Sequence, residues 1–298
     1  MTMLFECTHR GERYFGFDRP EDGAPLHLYP LKDDDLHAAV LAADGDSAAL
    51  VAALTDGKDA VAVPAEELGA LRMRPPLLPT AVGDAMVGGF MQTHNVKVDA
   101  TTQAQPNWFL KGLGDVLKVS GEELAVPESA VTVTEEAEVV LVYVTDEEGE
   151  ARYVGHTFGN DLTDIGRFRQ HHGHLSYAKL CDASVAPWLF LGPPPVSVTG
   201  RVTIERDGRE AWRAPFATGT RAMHYRLEDI MPALFGHRAL LHPGRVHYVY
   251  IGADRSSFHG GFQIADGDRV TLEFAEHGVT VSNTVSWPRP AATNPAGR

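Results

Sequence analysis

Glu135, Glu136 and Glu138 open the run EEAEVVLVYV, residues 135–144, whose second half is apolar and β-branched. That composition reads as a buried strand. Side chains alternate along a strand, so Glu136 and Glu138 share one face, about 6–7 Å apart. Two carboxylates so placed repel unless a cation lies between them. A second strand-like segment, 151–158, leads into GHTFGND at 155–161. If 136–144 and 151–158 pair antiparallel, the end of the second strand returns beside the start of the first. Asp161 then joins the two glutamates. Three hard oxygen donors suit Mg²⁺, Mn²⁺ or Ca²⁺. Zinc would want His or Cys, and Cys7 and Cys181 sit in no ligand spacing. A solvated strand end with scattered acids fits the same spacing.

Lys179, in HLSYAKLCDAS, is of a type that stabilises negative charge developing on a substrate oxygen beside a metal. Taken alone it reads as an ordinary surface lysine. Between Asp161 and Lys179 stand Arg167, Arg169 and Gln170. They are candidates to hold a substrate carboxylate, since a guanidinium offers forked donors. His171, His172 and His174 invite a metal reading. Adjacent side chains on extended backbone point apart, and a polar loop containing Gly173 accounts for them.

The elements that must position these residues are mostly strands. Candidate strands are 84–92, 107–111, 136–144, 151–158, 200–206, 210–215, 245–252 and 269–274. Asp207-Gly208 marks a tight hairpin turn, and TDEEGEA, 145–151, a longer one. Residues 4–29 alternate apolar and polar and read as a hairpin turning at PEDGAP. One or two short helices are expected over 33–54. Another is expected over 227–234, with preceding polar residues able to cap it. Pro75, Pro76 and Pro79 interrupt regular structure. These signals divide the chain into a small N-terminal α/β domain (1–78), a main domain (79–287) and a disordered tail (288–298). The fold class is mixed and β-rich, α+β.

Composition narrows the function. The chain has 298 residues and a net charge of −14, which argues against a nucleic-acid partner. No apolar run approaches the roughly 18–20 residues that span a bilayer. The start, MTMLFECTHRGERYF, lacks the apolar core of a signal peptide. Two cysteines form no disulfide framework, though a single Cys7–Cys181 bond is compatible with the sequence. A reduced cytoplasmic setting is the expectation.

Together these motifs resemble the fumarylacetoacetate hydrolase superfamily. Its metal site is a Glu-x-Glu pair, an acid in an Asn-Asp motif and a later lysine. Here the counterparts are Glu136-Ala137-Glu138, Gly159-Asn160-Asp161 and Lys179. Asn107-Trp108-Phe109-Leu110-Lys111-Gly112, Ser176-Tyr177-Ala178-Lys179-Leu180 and Pro243-Gly244-Arg245-Val246-His247 are similar to the branch of 2-keto-3-deoxy sugar-acid dehydratase-like proteins. The resemblance covers about residues 85–285. It implies a β-sandwich or β-roll catalytic domain, usually dimeric, behind a small variable N-terminal domain. It implies Mg²⁺ or a similar ion on Glu136, Glu138 and Asp161, and 2-oxo acid or 1,3-dicarbonyl substrates. His94 matches loosely a family histidine that activates water in the hydrolases, and Lys111 a lysine close to the site. Two positions depart from the pattern: Ile165 stands where the superfamily has Arg, and Leu110 where the branch has Tyr.

The expected function is a metal-dependent lyase, a dehydratase of a 2-keto-3-deoxy-acid type substrate working through a metal-bound enolate. The alternative is a C–C bond hydrolase of an acylpyruvate or fumarylacetoacetate type substrate. A non-catalytic binding protein on the same fold is the second alternative. Position separates the first two. His94 with a carboxylate beside a water favours hydrolysis, whereas Lys111 or an acid over C3 favours dehydration.

Overall fold

The apolar run Val139–Val144 is buried on both faces, so it cannot show simple alternation with polar residues. Val139 and Leu141 pack with Val202, Ile204, Val270 and Leu272 of a second sheet. Val140, Val142 and Val144 turn the other way, onto Leu36, Val40, Leu50 and Leu54 of the N-terminal helices. The computed structural model describes residues 2–21, 23–32 and 35–288. The expected tail falls almost wholly on 289–298, outside the described residues.

Ala137–Thr145 and Ala151–Asp161 form the central hairpin. They lie in a 13-stranded mixed sheet between Trp188–Phe190 and Val246–Tyr250. Val246–Tyr250 pairs parallel with Ala85–Phe90, which pairs antiparallel with Trp108–Leu113 at the sheet's edge. The second sheet has five strands, ordered Arg209–Thr218, Val198–Arg206, Arg269–Phe274, Val279–Ser286 and Glu123–Ala125. Two facing sheets with a few short helices make the expected α+β, β-rich class.

Every candidate strand is present within a few residues. The N-terminal turn is corrected. Residues 3–30 hold three strands, Met3–His9, Glu12–Gly16 and Leu26–Pro30, and the first turn is at Arg10-Gly11. Both residues have positive φ, 51° and 88°, as a two-residue hairpin turn requires. PEDGAP joins the second strand to the third. Met3–His9 also pairs with Trp188–Phe190, so the N-terminal strands continue the large sheet. Glu6 fastens the segment that follows: it accepts from Leu77 N at 2.7 Å and from Arg13 Nη2 at 2.9 Å.

The helices are Asp35–Ala43, Ser47–Thr55 and Leu227–Phe235, with shorter turns near residue 170. Asp46 caps the second, accepting from Ala48 N and Ala49 N. The expected polar cap of the third is absent. Arg226 stands at that position, and it pairs with Glu228 and Asp229 instead of the helix amides. Cys7 and Cys181 are free and buried, so no disulfide joins them.

His156 is a buried histidine in the central hairpin, stacked on Phe190 at 5.5 Å. Burial, then His277, lowers its pKa from 6.5 to about 4. The unfolded chain therefore takes up a proton between pH 6.5 and pH 4 that the folded chain refuses. Stability is unaffected above pH 6.5 and falls as pH drops through that window, by on the order of 3 kcal/mol for this group. His156→Phe keeps the stacking and removes the titration. Its urea midpoint should fall less than wild type's between pH 7 and pH 4.5. Equal losses in the two proteins would clear His156 of the effect.

Candidate metal centre

The register of the central hairpin brings the acids together. Ala137 stands opposite Asn160 and Glu138 opposite Gly159, which places Glu136 opposite Asp161. Directly opposed residues share a face, and so do residues two apart, so all three carboxylates point one way. Backbone bonds fix the end of the hairpin: Asp161 N donates to Glu136 O at 3.0 Å. Asn160 Oδ1 accepts from Glu136 N at 3.0 Å, which accounts for Asn in the motif. Gly159 is needed for close approach, because a Cβ there would lie 2.2 Å from Ser184 O on the neighbouring strand.

All three side chains are buried, and one oxygen of each lies within 4.8 Å of the others. Among the described residues no other set of three His, Cys, Asp or Glu side chains converges this way. Three lysines surround them. Lys179 Nζ donates to Glu136 Oε2 at 2.9 Å, to Asp161 Oδ2 at 2.5 Å and to Thr163 Oγ1 at 2.7 Å. Lys111 Nζ lies 2.7 Å from Asp161 Oδ1 and gives its hydrogen bond to Leu162 O. Lys97 Nζ donates to Glu136 Oε1 at 3.2 Å.

The charges are unevenly satisfied. Burial opposes the charge on Glu136, but Lys179 and then Lys97 outweigh it and hold that carboxyl well below the usual range. Burial, then Asp161, then Glu136, pushes Glu138 well above it. Glu138 Oε2 accepts from Gly252 N at 2.5 Å. That glycine has φ of 111°, and a Cβ on it would collide with Thr93 Oγ1. Asp161 Oδ1 is buried and pairs with the Lys111 ammonium at 2.7 Å, which gives its hydrogen bond to Leu162 O. Three buried carboxylates, one of them pushed toward neutrality by its like-charged neighbours, form a set that a bound cation would stabilise. The donor set, three carboxylates with no sulfur or imidazole, fits a hard divalent ion.

The other expected site residues are placed as follows. Lys179 follows the short helix Leu175–Ala178 and is buried, its ammonium 4.3 Å from the Phe109 ring centroid. Lys111 is buried on the edge strand, facing the carboxylates, while Leu110 points outward to solvent. The departure at Leu110 therefore falls outside the carboxylate cluster. His94 is buried, its ring nitrogens facing Thr218 Oγ1 at 3.2 Å and Thr93 Oγ1 at 3.4 Å. No carboxylate among the described residues hydrogen-bonds to it. Burial, then Lys97, lowers its pKa to about 4. Arg167 gives its guanidinium to Ser129 O and lies 4.0 Å from Asp164. Arg169 and Gln170 are exposed, with Arg169 5.4 Å over the Phe258 ring. His171 caps a short turn by accepting from Gly173 N, and His172 stacks on Phe168, so neither is placed as a ligand.

A cavity of about 220 Å³ opens beside Glu136, lined by Met91, Gln92, Lys97, Phe168, Arg255 and His259 among others. A second lobe of about 220 Å³ shares Met91, Gln92, Lys97 and Phe168 and extends to Asn107, His172 and Tyr225. Ile165, in place of the superfamily's Arg, lines the first lobe. A separate apolar cavity of about 350 Å³ lies between Leu50 and Leu191 and shares no residue with the carboxylates.

Lys97, Gly252, Arg255 and His259 were not legible as site residues in the sequence. All four come from loops with no periodicity. Glu135, the first residue of the opening run, faces away: it accepts from Ser257 N at 2.8 Å and Ser257 Oγ at 2.5 Å.

No protein-family model and no curated protein sequence matches the chain. Solved structures do. A 2-keto-3-deoxy-D-arabinonate dehydratase complexed with magnesium and 2,5-dioxopentanoate aligns over 97% of this chain and 100% of its own, with a TM-score of 0.68 and 17% identity. A 5-carboxymethyl-2-hydroxymuconate delta-isomerase from Mycobacterium smegmatis aligns over 97% and 100%, with a TM-score of 0.60 and 19% identity. A 2-hydroxyhepta-2,4-diene-1,7-dioate isomerase from Mycobacterium marinum aligns over 96% and 99%, with a TM-score of 0.60 and 17% identity. The resemblance carried by Glu136, Glu138, Asp161 and Lys179 thus extends to the whole architecture: the chain has the fumarylacetoacetate hydrolase fold that these dehydratase and isomerase structures share.

Proposed function

We propose that the protein is a divalent-metal-dependent lyase that removes water from a 2-keto-3-deoxy acid. The observation that carries this reading is the buried Glu136–Glu138–Asp161 set, one oxygen of each lying within 4.8 Å of the others. A divalent ion held there would supply a Lewis acid for the carboxylate and 2-oxo oxygens of the substrate. Mg²⁺ is the first choice, with Mn²⁺ and Ca²⁺ as substitutes.

The chain's own residues do the rest. Lys179 and Lys111 fix the orientation of Asp161, and Lys179 and Lys97 that of Glu136. Lys97 reaches the cavity and adds positive field where a 2-oxo oxygen gains charge as the C3–H bond breaks. His259 Nδ1 accepts from Ser256 N at 3.2 Å, which assigns the proton of the neutral ring to Nε2. That N–H would hydrogen-bond the C4 hydroxyl and orient it for departure; the proton lost from C3 and the C4 hydroxide leave together as water, and the C3 electron pair forms the new double bond. The hydrolytic alternative needs an activated water at His94, but His94 is buried with its ring nitrogens against two threonines and lines neither lobe.

The working form is proposed to be a homodimer in the cytoplasm. Leu110 and Leu113 on the edge strand and Tyr177 and Leu180 nearby are exposed, an apolar edge of the kind that a second copy covers. Both cysteines are unpaired, and no helix among the described residues is long and apolar enough to cross a membrane.

Proton abstraction is testable before the substrate is known. With Mg²⁺, wild type should speed deuterium uptake at C3 of 2-oxobutanoate in D₂O, read by proton NMR, by more than about tenfold over Glu138→Gln. Rates equal to the variant's would remove the basis for enolisation. A screen of 2-keto-3-deoxy acids for water loss against C–C cleavage then decides the reaction.

A further inference from the structure

The run that opens on Glu135 is tied twice to one loop. Residues 252–261 lead from the strand Val246–Tyr250 through the short turn Ser257–Gly260, which carries His259. Glu138 holds the start of that loop by accepting from Gly252 N at 2.5 Å. Glu135 holds the turn itself, accepting from Ser257 N at 2.8 Å and from Ser257 Oγ at 2.5 Å. The Thr134 hydroxyl completes the clamp: it donates to Glu135 Oε2 at 3.3 Å and accepts from Phe258 N at 3.4 Å. The next amide, His259 N, donates to Ser256 O at 3.0 Å, and Ser256 N donates back to His259 Nδ1 at 3.2 Å. The imidazole therefore stands on a turn whose first two amides end on Glu135 and Thr134.

The demand of the turn for an acceptor does not by itself explain a glutamate. Glu135 is 2% exposed. Three other glutamates are buried among the described residues. Glu6 pairs with Arg13, Glu136 pairs with Lys179 and Lys97, and Glu138 belongs to the carboxylate set. Among the described residues, Glu135 meets amides and hydroxyls and no cation. It also adds a fourth acid beside three that already repel one another. Burying a carboxylate without a cation is costly unless its hydrogen bonds are complete. What it provides is geometry: both oxygens of one carboxylate engage one serine, which fixes the turn in position and in rotation. Glu136, the next residue, faces the lysines and lines the same lobe as His259. One dipeptide thus sets the spacing between the carboxylate cluster and the imidazole. We propose that Glu135 is a positioning residue, holding the Ser257–Gly260 turn so that the Nε2–H of His259 stays directed into the cavity beside Glu136. The use of that N–H rests on the proposed loss of water from a 2-keto-3-deoxy acid.

Nitrogen-15 NMR of histidine-labelled protein in Mg²⁺ buffer reads the ring directly, at about pH 8, above the ordinary imidazole range. His259→Asn assigns the signal. Wild type should show His259 in one neutral tautomer, protonated on Nε2. Glu135→Gln should show the same, because its carbonyl still accepts from Ser257 N and its amide donates to Ser257 Oγ. Glu135→Ala should shift the signal to an average of both tautomers while keeping the stabilisation by Mg²⁺ plus oxalate. Ser257→Ala removes the Oγ bond alone and should shift the signal part of the way, and it decides the matter if Glu135→Ala does not fold. A single Nε2 tautomer in Glu135→Ala, or in Ser257→Ala where that variant decides, overturns the proposal. So does a Glu135→Gln ring averaged as in Glu135→Ala, since the glutamine makes the same two bonds. Loss of the oxalate response in Glu135→Ala alone also overturns it, because Glu135 would then act on the carboxylates. Absence of that response in wild type strikes the metal reading and leaves the ring signal to decide the clamp.

Discussion

Glu138→Gln should fold as wild type does and lose the metal. The glutamine carbonyl can still accept from Gly252 N, and Glu138 is already pushed toward its neutral form by burial, Asp161 and Glu136. The metal-free protein should therefore keep its unfolding temperature, or rise slightly as repulsion is relieved. Removal of one of three anionic donors has the opposite consequence for the holo form. Loss of a supporting partner alone typically costs about 10–100-fold in metal affinity, so loss of a ligand should exceed about 100-fold. Turnover should fall by roughly 10³-fold, the several kcal/mol that Lewis-acid polarisation supplies. Thermal unfolding with EDTA, with Mg²⁺ and with Mg²⁺ plus oxalate checks this. Wild type should be stabilised most by the pair, and Glu138→Gln by neither. Glu138→Ala serves as a second variant: it should also lose the response, but at a cost of about 1–3 kcal/mol for the stranded Gly252 N–H. A Glu138→Gln protein that responds to Mg²⁺ plus oxalate as wild type does would remove these carboxylates from the metal site.

The site divides into a part that local chemistry announces and a part that only the assembled topology supplies. Glu136, Glu138 and Asp161 were legible because a period of two and one hairpin suffice to bring them together. Lys179 needed the family pattern, since nothing local tells a buried lysine from a surface one. The strands were legible for the same reason as the carboxylates: β-branched runs bounded by turn residues. The Arg10-Gly11 turn was passed over because PEDGAP carries a louder composition. Lys97 and Gly252 reach the carboxylates, and Arg255 and His259 the cavity beside them, through pairings between segments more than 80 residues apart in some cases, such as Val246–Tyr250 with Ala85–Phe90. No local pattern encodes that. Arg167 shows the converse. Its residue type suits anion binding, but its position one turn after Asp164 and next to Ser129 commits it to the loop it stands on.

Lys179→Met tests how the metal-free protein tolerates three buried acids. Burial alone would strip the lysine of its proton. Asp161, then Glu136 and Glu138, outweigh that and hold the ammonium well above the usual lysine range. Methionine fills similar volume and removes the charge, leaving Glu136 Oε2 and Asp161 Oδ2 facing each other without the cation between them. Breaking a buried ion pair on one side costs about 3–5 kcal/mol. Lys111 and Lys97 remain, on the other oxygen of each acid, so the lower half of that range is expected. The loss should depend on the metal. Mg²⁺ held by these carboxylates would restore positive charge beside them, so the variant should recover more of its unfolding temperature on adding Mg²⁺ than wild type gains. Glu136→Gln in the Lys179→Met background should restore stability in EDTA, because it removes one of the stranded charges, while lowering Mg²⁺ affinity. Urea unfolding of the four proteins in EDTA and in Mg²⁺ gives the coupling directly. Additive effects in EDTA would mean that Lys179 and Glu136 do not sense each other, against the 2.9 Å contact between them. A variant as stable as wild type in EDTA would place the lysine outside the charge balance of the centre.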